Sequence, residues 1–436
     1  MAKQANIDNG IEREIGRIHG NAGVTTEPLE QKLNRLAEVA VRVGLNLARG
    51  QELIITAPLD TLQLTRCITE CAYKAGASLV TTLFTDEQAT LSRFQYAAEE
   101  SFDTAAQWLQ DGLATGFRTG AARLAIAGAD PALLAGQDPA KVSRANVAAS
   151  KAGRAALELI TRHEINWTIV PSATPAWARL VFPDDREEVA LARLWDAIFS
   201  ATRVDMDNPI AVWEAHATEL QRRVELLNER RFSALLFRRP GTDLRVGLAD
   251  DHTWLGGATI AKNGIRCIPN LPTEEVFTMP HKDRVDGMAA STKPLSYQGT
   301  LIKNIRVQFE NGRITRVSAD EGETVLQKMI GTDDGACRLG EVALVPHSSP
   351  IAHSNILFWN TLFDENAASH IALGQAYSSC IRNGDALNPA ELAAKGANES
   401  LIHVDWMIGG GDMDVDGIAP AGDIVPLMRA GEWVSR

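Results

Sequence analysis

The chain has 436 residues, 45% hydrophobic and 22% charged, with a formal net charge of −12. At roughly 150 residues per domain, that length anticipates two or three domains with cores of adequate size. The acidic balance argues against nucleic acid or an anionic membrane surface as partner, because both require a basic face. No apolar run approaches the ~18–20 residues of a membrane span, and the first residues lack a basic-then-apolar leader, so the expected location is the cytoplasm. The five cysteines, Cys67, Cys71, Cys267, Cys337 and Cys380, form no CxxC pair, which fits reduced, packed thiols.

Residues 1–28 are polar and weakly periodic and read as an extension outside the fold. From residue 29, Leu33, Leu36, Ala37, Ala40 and Val43 recur at helical spacing. "QELIITAP" then predicts a strand, "TLQLTRCITECAYKAGA" a helix stopped near Gly76, and "SLVTTLFT" a second strand. That alternation implies parallel pairing with right-handed crossovers. "AARLAIAGAD" and "WTIVP" extend the same sheet, and "EEVALARLWDAIFSAT" is a helix with an apolar stripe at Leu191, Leu194, Ile198 and Phe199.

The texture changes after "VDMDNP". A long amphipathic helix, "IAVWEAHATELQRRVELLNERRF", leads into short alternating strands, "SALLF", "DLRVGL" and "TWLGGATI". "TLIKNIRVQFENGRITRVSA" contains a strand pair turning at Asn311-Gly312. The expected organisation is an α/β domain with a mostly parallel sheet over 29–206 and an α+β domain with mostly antiparallel strands over 207–436. "GGATIAKNG" does not open a helix after a strand as a dinucleotide fingerprint would. "DMDVDGIAPAGD", residues 412–423, imitates a calcium loop, but Pro420 and Asp423 occupy its ninth and twelfth positions, and an acidic β-turn is the better reading.

Four segments of the second half place acids and histidines in apolar or turn-rich settings: "NLPTEEVFTMP" (Glu274, Glu275), "LGEVALVP" (Glu341), "FDENAASHIALGQAY" (Asp364, Glu365, His370, Tyr377) and "IHVDWMIG" (His403, Asp405). Each has a plain structural reading. Glu274 and Glu275, if on a strand, face opposite ways, so at most one points inward. Glu341 begins an apolar strand and needs a partner, such as an arginine. Asp364 would cap a helix running through His370 to Gly374, with His370 a core histidine and Tyr377 a packed aromatic. His403 and Asp405 share one face of a strand and could hydrogen-bond to each other. Jointly the segments say more. Several carboxylates and two histidines from separate segments of an acidic chain call for cations, and two divalent ions bridged by a carboxylate could share four to six such ligands.

At these motifs, "IPNLPTEEVFT", "RLGEVALVP", "TLFDENAASHIALGQAY" and "HVDWMIG", the sequence resembles the aminopeptidase T family of metalloaminopeptidases, over roughly residues 29–436. The resemblance implies two metal ions per chain (Zn, Co, Mn or Mg) held by Glu275, Glu341, His370, His403 and Asp405, with Glu365 a further ligand. It implies Tyr377 beside the metals, where a neutral phenol able to donate to an oxyanion makes it the candidate catalytic residue. It also selects Glu275 over Glu274, which local sequence does not do. The expected function is release of N-terminal amino acids from peptides with a free N-terminus by a metal-activated water, in a homodimer whose active sites face an internal cavity. Two other functions share these residues: a metal hydrolase of another amide or ester, and a metal-binding module without turnover.

Overall fold

The computed structural model describes residues 27–297 and 300–434. Of the proposed extension over 1–28, all but residues 27 and 28 therefore lies outside the described residues. The chain divides into two compact units. One runs to Glu214 and takes in Ile260–Leu271; the other comprises Ala215–Thr259 and everything from Pro272 onward.

The first unit is α/β. Its sheet has the spatial order Leu79–Thr85, Glu52–Pro58, Ala122–Ala127, Trp167–Pro171, all parallel. The Leu53–Ile55 run is buried, as suits the middle of a sheet covered on both faces. The opening helix, Leu29–Val39, continues as a π-turn over Ala40–Gly44 and buries Leu33, Leu36, Ala37, Ala40 and Val43. The next helix, Leu62–Ala75, ends at Gly76, whose left-handed backbone lets the following Ala77 N–H donate to the Ala72 carbonyl at 3.0 Å. Cys67 and Cys71 lie on that helix as free thiols.

The second unit is α+β and antiparallel. An eight-stranded sheet runs from Arg313–Ser318 at one edge through Arg306–Glu310, Pro280–Ala290, Thr242–Leu248, Ala234–Arg239, Asp414–Ile418 and Ile424–Arg429 to Glu432–Trp433. Asn311 and Gly312 take φ +48° and +80°, the two left-handed residues a tight hairpin requires. The "DMDVDG" stretch is no ion loop: Asp412 pairs with Arg239, and Asp416 with Arg238 and Arg429. The strand Asp414–Ile418 gives way to a turn closed by Gly422 N–H donating to Ala419 O.

The second sheet of this unit matters most for function. Its order is His403–Met407, His370–Gly374, Leu339–Leu344, Val276–Thr278, Leu255–Gly256, antiparallel throughout. Here the structure corrects the expected helix from Asp364 to Gly374. Helix Thr361–Asp364 is capped by Asn360, one 3-10 turn covers Glu365–Ala367, and His370–Gly374 is a fully buried strand. A short continuous apolar run cannot be told from a buried helix by periodicity, and here neighbours on both sides supply the ladder. Asp364 ends the helix instead of starting it, accepting the N–H groups of Phe358 and Asn360.

Gly374 closes that strand at φ +104°, and a Cβ there would lie 2.1 Å from the Ile402 carbonyl oxygen. Gly374→Ala is expected to destabilise the protein by about 3 kcal/mol, through strain plus a backbone clash that must displace the strand beginning at His403. Chemical denaturation measures it; an unchanged midpoint would mean the strand end yields freely.

Candidate metal centre

Residues directly opposite on antiparallel strands share a face. Glu341 lies opposite Ala372, and Ala372 opposite Asp405. Ala343 lies opposite His370, and Gly374 opposite His403. Glu341, His370, His403 and Asp405 therefore project from one face, and Ala372, Ala343 and Gly374 leave the space between them open. Glu275 enters from the residue before strand Val276–Thr278, and Glu365 from the 3-10 turn.

His370 Nε2 is 3.2 Å from Glu275 Oε2, 3.6 Å from Glu341 Oε1 and 3.9 Å from Asp405 Oδ1. His403 Nε2 is 3.8 Å from Glu341 Oε2 and 3.5 Å from Asp405 Oδ2. Donor atoms about 2.0–2.2 Å from a common ion stand roughly 3–3.6 Å apart, so this is the spacing of groups around cations. Among the described residues, Glu275 Oε2, His370 Nε2 and Asp405 Oδ1 are buried without a hydrogen-bond partner, which is costly unless an ion satisfies them. One oxygen or nitrogen from each of Glu275, Glu341 and His370 falls within 4.8 Å of the others.

The two imidazoles are fixed from behind. His370 Nδ1 donates to the Ala368 carbonyl at 3.1 Å and His403 Nδ1 to the Gln375 carbonyl at 2.7 Å. A carbonyl only accepts, so each Nδ1 carries the hydrogen and each Nε2 presents a lone pair to the carboxylates when the ring is neutral. Oxygen and imidazole donors of this kind suit Zn, Co or Mn. The residues thus fit the divalent metal that the sequence implies.

The electrostatics agree. Burial pushes Glu341 up to about 7, and the charges of Asp405 and Glu275 add to it. Burial, then Glu275 and Asp405, raise Glu365 well above the usual carboxylate range. Burial alone would lower both imidazoles, but Glu275 and Glu341 raise His370 well above its ordinary value, and Asp405 and Glu341 bring His403 to about 9. Crowded anions favour protons on their neighbours when no cation is bound. A divalent ion answers the same field with two positive charges at one point.

Tyr377 follows strand His370–Gly374, and its ring lies 4.7 Å from that of His403. Partial burial, then Glu341, Asp405, Glu365 and Glu275, push the phenol's pKa up, so the hydroxyl keeps its proton. Tyr377 is 44% exposed, which places it at the solvent side of the cluster.

Both Glu274 and Glu275 are buried, at 2% and 7% exposure, against the expectation that only one could point inward. They precede the strand, so strand alternation does not govern them. Glu274 Oε2 is 3.5 Å from His216 Nε2. Sequence reasoning missed Asn366, whose side chain accepts the Glu274 N–H and donates to the Leu362 carbonyl. It ties the Glu275 segment to the Glu365 segment. Its only signal was its place beside Glu365 in "FDEN".

Comparison with known proteins places these residues in context. The sequence profile of the family described as thermophilic metalloprotease (M29) matches residues 29–433. The chain is 52% identical to aminopeptidase T from Thermus thermophilus, over 94% of this chain and 100% of that one. It is 44% identical to aminopeptidase 2 from Geobacillus stearothermophilus, over 93% of this chain and 98% of that one. The solved structure of wild-type AmpT from Thermus thermophilus superposes with a TM-score of 0.88 at 52% identity, covering 93% of this chain and 100% of that one.

Proposed function

The chain belongs to the M29 family of thermophilic metalloproteases and is a metalloaminopeptidase, and from that premise we propose that it works with two divalent ions held by Glu275, Glu341, Glu365, His370, His403 and Asp405. One observation carries the dinuclear reading. Glu341 and Asp405 each turn one oxygen toward His370 and the other toward His403. Two carboxylates divided in this way could serve two adjoining donor sets at once, which supports the reading.

Divalent ions there would supply the Lewis acidity that yields a nucleophile from water at neutral pH and polarises the scissile carbonyl. The chain's own residues do the rest. His370 and His403, locked by their backbone bonds, fix the donor geometry. A buried carboxylate of the cluster accepts the proton of the attacking water. The Tyr377 hydroxyl donates a hydrogen bond to the oxyanion that develops as the carbonyl is attacked. The acidic surroundings attract a protonated peptide amino terminus, which restricts cleavage to the chain end. Zinc, cobalt and manganese fit the donor set better than magnesium, because imidazole is a poor ligand for magnesium. Peptides with a free N-terminus are the proposed substrates. A cytoplasmic homodimer without nucleic-acid or membrane partners is the proposed setting; no helix among the described residues is long and apolar enough to cross a membrane.

The test is a metal titration of chelator-treated protein, read by hydrolysis of an unblocked amino-acid amide and its N-acetylated counterpart. Activity on the unblocked amide should rise until two ions per chain are bound, while the acetylated amide stays intact. Saturation at one ion per chain defeats the dinuclear reading, and equal turnover of the acetylated amide defeats the requirement for a free amino terminus.

A further inference from the structure

Asn366 lies in the 3-10 turn Glu365–Ala367 and has no solvent exposure. A polar side chain is tolerated at such a place only when its hydrogen bonds are made. Its Oδ1 accepts the Glu274 N–H at 2.7 Å, and its Nδ2 donates to the Leu362 carbonyl at 3.1 Å. Its main-chain carbonyl accepts the hydroxyl of buried Ser349 at 3.1 Å. The bond to Leu362 is local, within one turn. The bond to Glu274 spans 92 residues and lands immediately before Glu275. Asn366 itself stands immediately after Glu365. One amide therefore fixes the backbone beside one acidic ligand to the backbone beside another.

The surroundings of this amide belong to the His370 half of the cluster. Glu275 Oε2 stands 3.2 Å from His370 Nε2, nearer than the oxygens of Glu341 or Asp405. Of the neighbouring charges, that of Glu275 acts most strongly on Glu365. The turn that carries Asn366 runs into Ala368, whose carbonyl accepts the Nδ1 hydrogen of His370. On the facing segment, His216 Nε2 donates to the Thr273 carbonyl at 2.8 Å, and Val276 pairs with Leu344. The Glu275 backbone is thus held before and after the ligand, and Asn366 supplies the bond that sets it against the Glu365 turn. Groups that stand behind metal ligands tune affinity by fixing where those ligands point.

We propose that Asn366 is a positioning residue whose amide sets the separation of Glu275 and Glu365, and thereby the affinity of the ion on the His370 side. The inference rests on the dinuclear reading above and deepens it.

Three variants separate this role from folding. Asn366→Ser keeps a hydroxyl that can bond back to the carbonyl of Leu362 but is one bond too short for the Glu274 N–H. Asn366→Asp keeps the acceptor for Glu274 and loses the donor to Leu362. Asn366→Ala loses both. Chelator-treated wild type and variants are titrated with cobalt(II), followed by calorimetry and visible absorption, well below the melting temperature of each apo-protein. In Asn366→Ser and Asn366→Ala the Kd of one ion should rise about 10–100-fold while the other stays within a few-fold of wild type. The cobalt absorption should shift with the altered donor geometry. Asn366→Asp should hold both ions at least within a few-fold of wild type, with the wild-type spectrum. Asn366→Ser carries the test if the alanine variant fails to fold. Unchanged affinities and spectra in Asn366→Ser, with only a lower melting temperature, would make Asn366 a purely structural residue and overturn the proposal. Equal weakening of both ions, or an Asn366→Asp as weak as Asn366→Ser, would overturn it too. A wild type that binds a single ion, weakened by Asn366→Ser and spared by Asn366→Asp, would keep the positioning role and sink the dinuclear reading instead.

Discussion

Glu341→Gln is expected to weaken both ions together and abolish measurable turnover, while His370→Ala or His403→Ala should weaken mainly one. Glutamine keeps the shape of the side chain but replaces one anionic oxygen with an NH₂ group, a donor that cannot ligate a cation. The oxygens it alters face His370 at 3.6 Å and His403 at 3.8 Å, so neither half of the site escapes. Each Kd should rise about 10²–10³-fold, or 3–4 kcal/mol per ion. Mass-spectrometric metal counting after gel filtration, with calorimetric titration, checks it. The chelated variant should be no less stable than chelated wild type, since the change removes one of several crowded carboxylates. A variant that retained one ion at wild-type affinity would make Glu341 a ligand to a single ion.

Much of this geometry is visible in the sequence where it depends on local period alone. His403 and Asp405, two apart in an apolar run, do share one face of a strand. The near-continuous apolar runs of the first unit do pair in parallel, and Asn311-Gly312 does turn a hairpin. His370 was different. Its run of buried residues has no polar alternation, and only pairing with Leu339–Leu344 on one side and His403–Met407 on the other makes it a strand. Those partners lie 26 or more residues away, where no local pattern reaches.

The same limit explains the rest of the site. Glu341 and Asp405 face each other across Ala372, a relation of register between three strands. Nothing near Ala372 in the sequence marks it as the gap in which the cluster forms. Family likeness favours Glu275 over Glu274, and the structure shows why spacing does not choose: both are buried, one toward His370 and one toward His216. Asn366 joins two glutamate-bearing segments through one side-chain amide, a contact across 92 residues.

Tyr377→Phe is expected to keep both ions, hold KM within a few-fold and lower kcat about 10²–10³-fold, some 3–4 kcal/mol of transition-state stabilisation. No helix carries this residue to the site, because His370–Gly374 is a strand. What places it is the turn after Gly374: the Gln375 carbonyl holds His403 Nδ1, the Ala376 N–H donates to the Asn398 carbonyl, and the Tyr377 ring comes to rest against the His403 ring. Phenylalanine retains that ring contact, so stability should change by no more than about 0.5 kcal/mol. The hydroxyl alone is removed. It is a neutral donor, kept protonated by partial burial and by the carboxylates of Glu341, Asp405, Glu365 and Glu275. A neutral donor beside anions is of little use to a neutral ground-state carbonyl and of great use once that oxygen becomes negative. The loss should therefore appear in kcat while substrate affinity is spared. A packing tyrosine would give the reverse, a small shift in melting temperature with catalysis intact. Near-normal kcat in a variant that carries both ions would remove Tyr377 from the catalytic set.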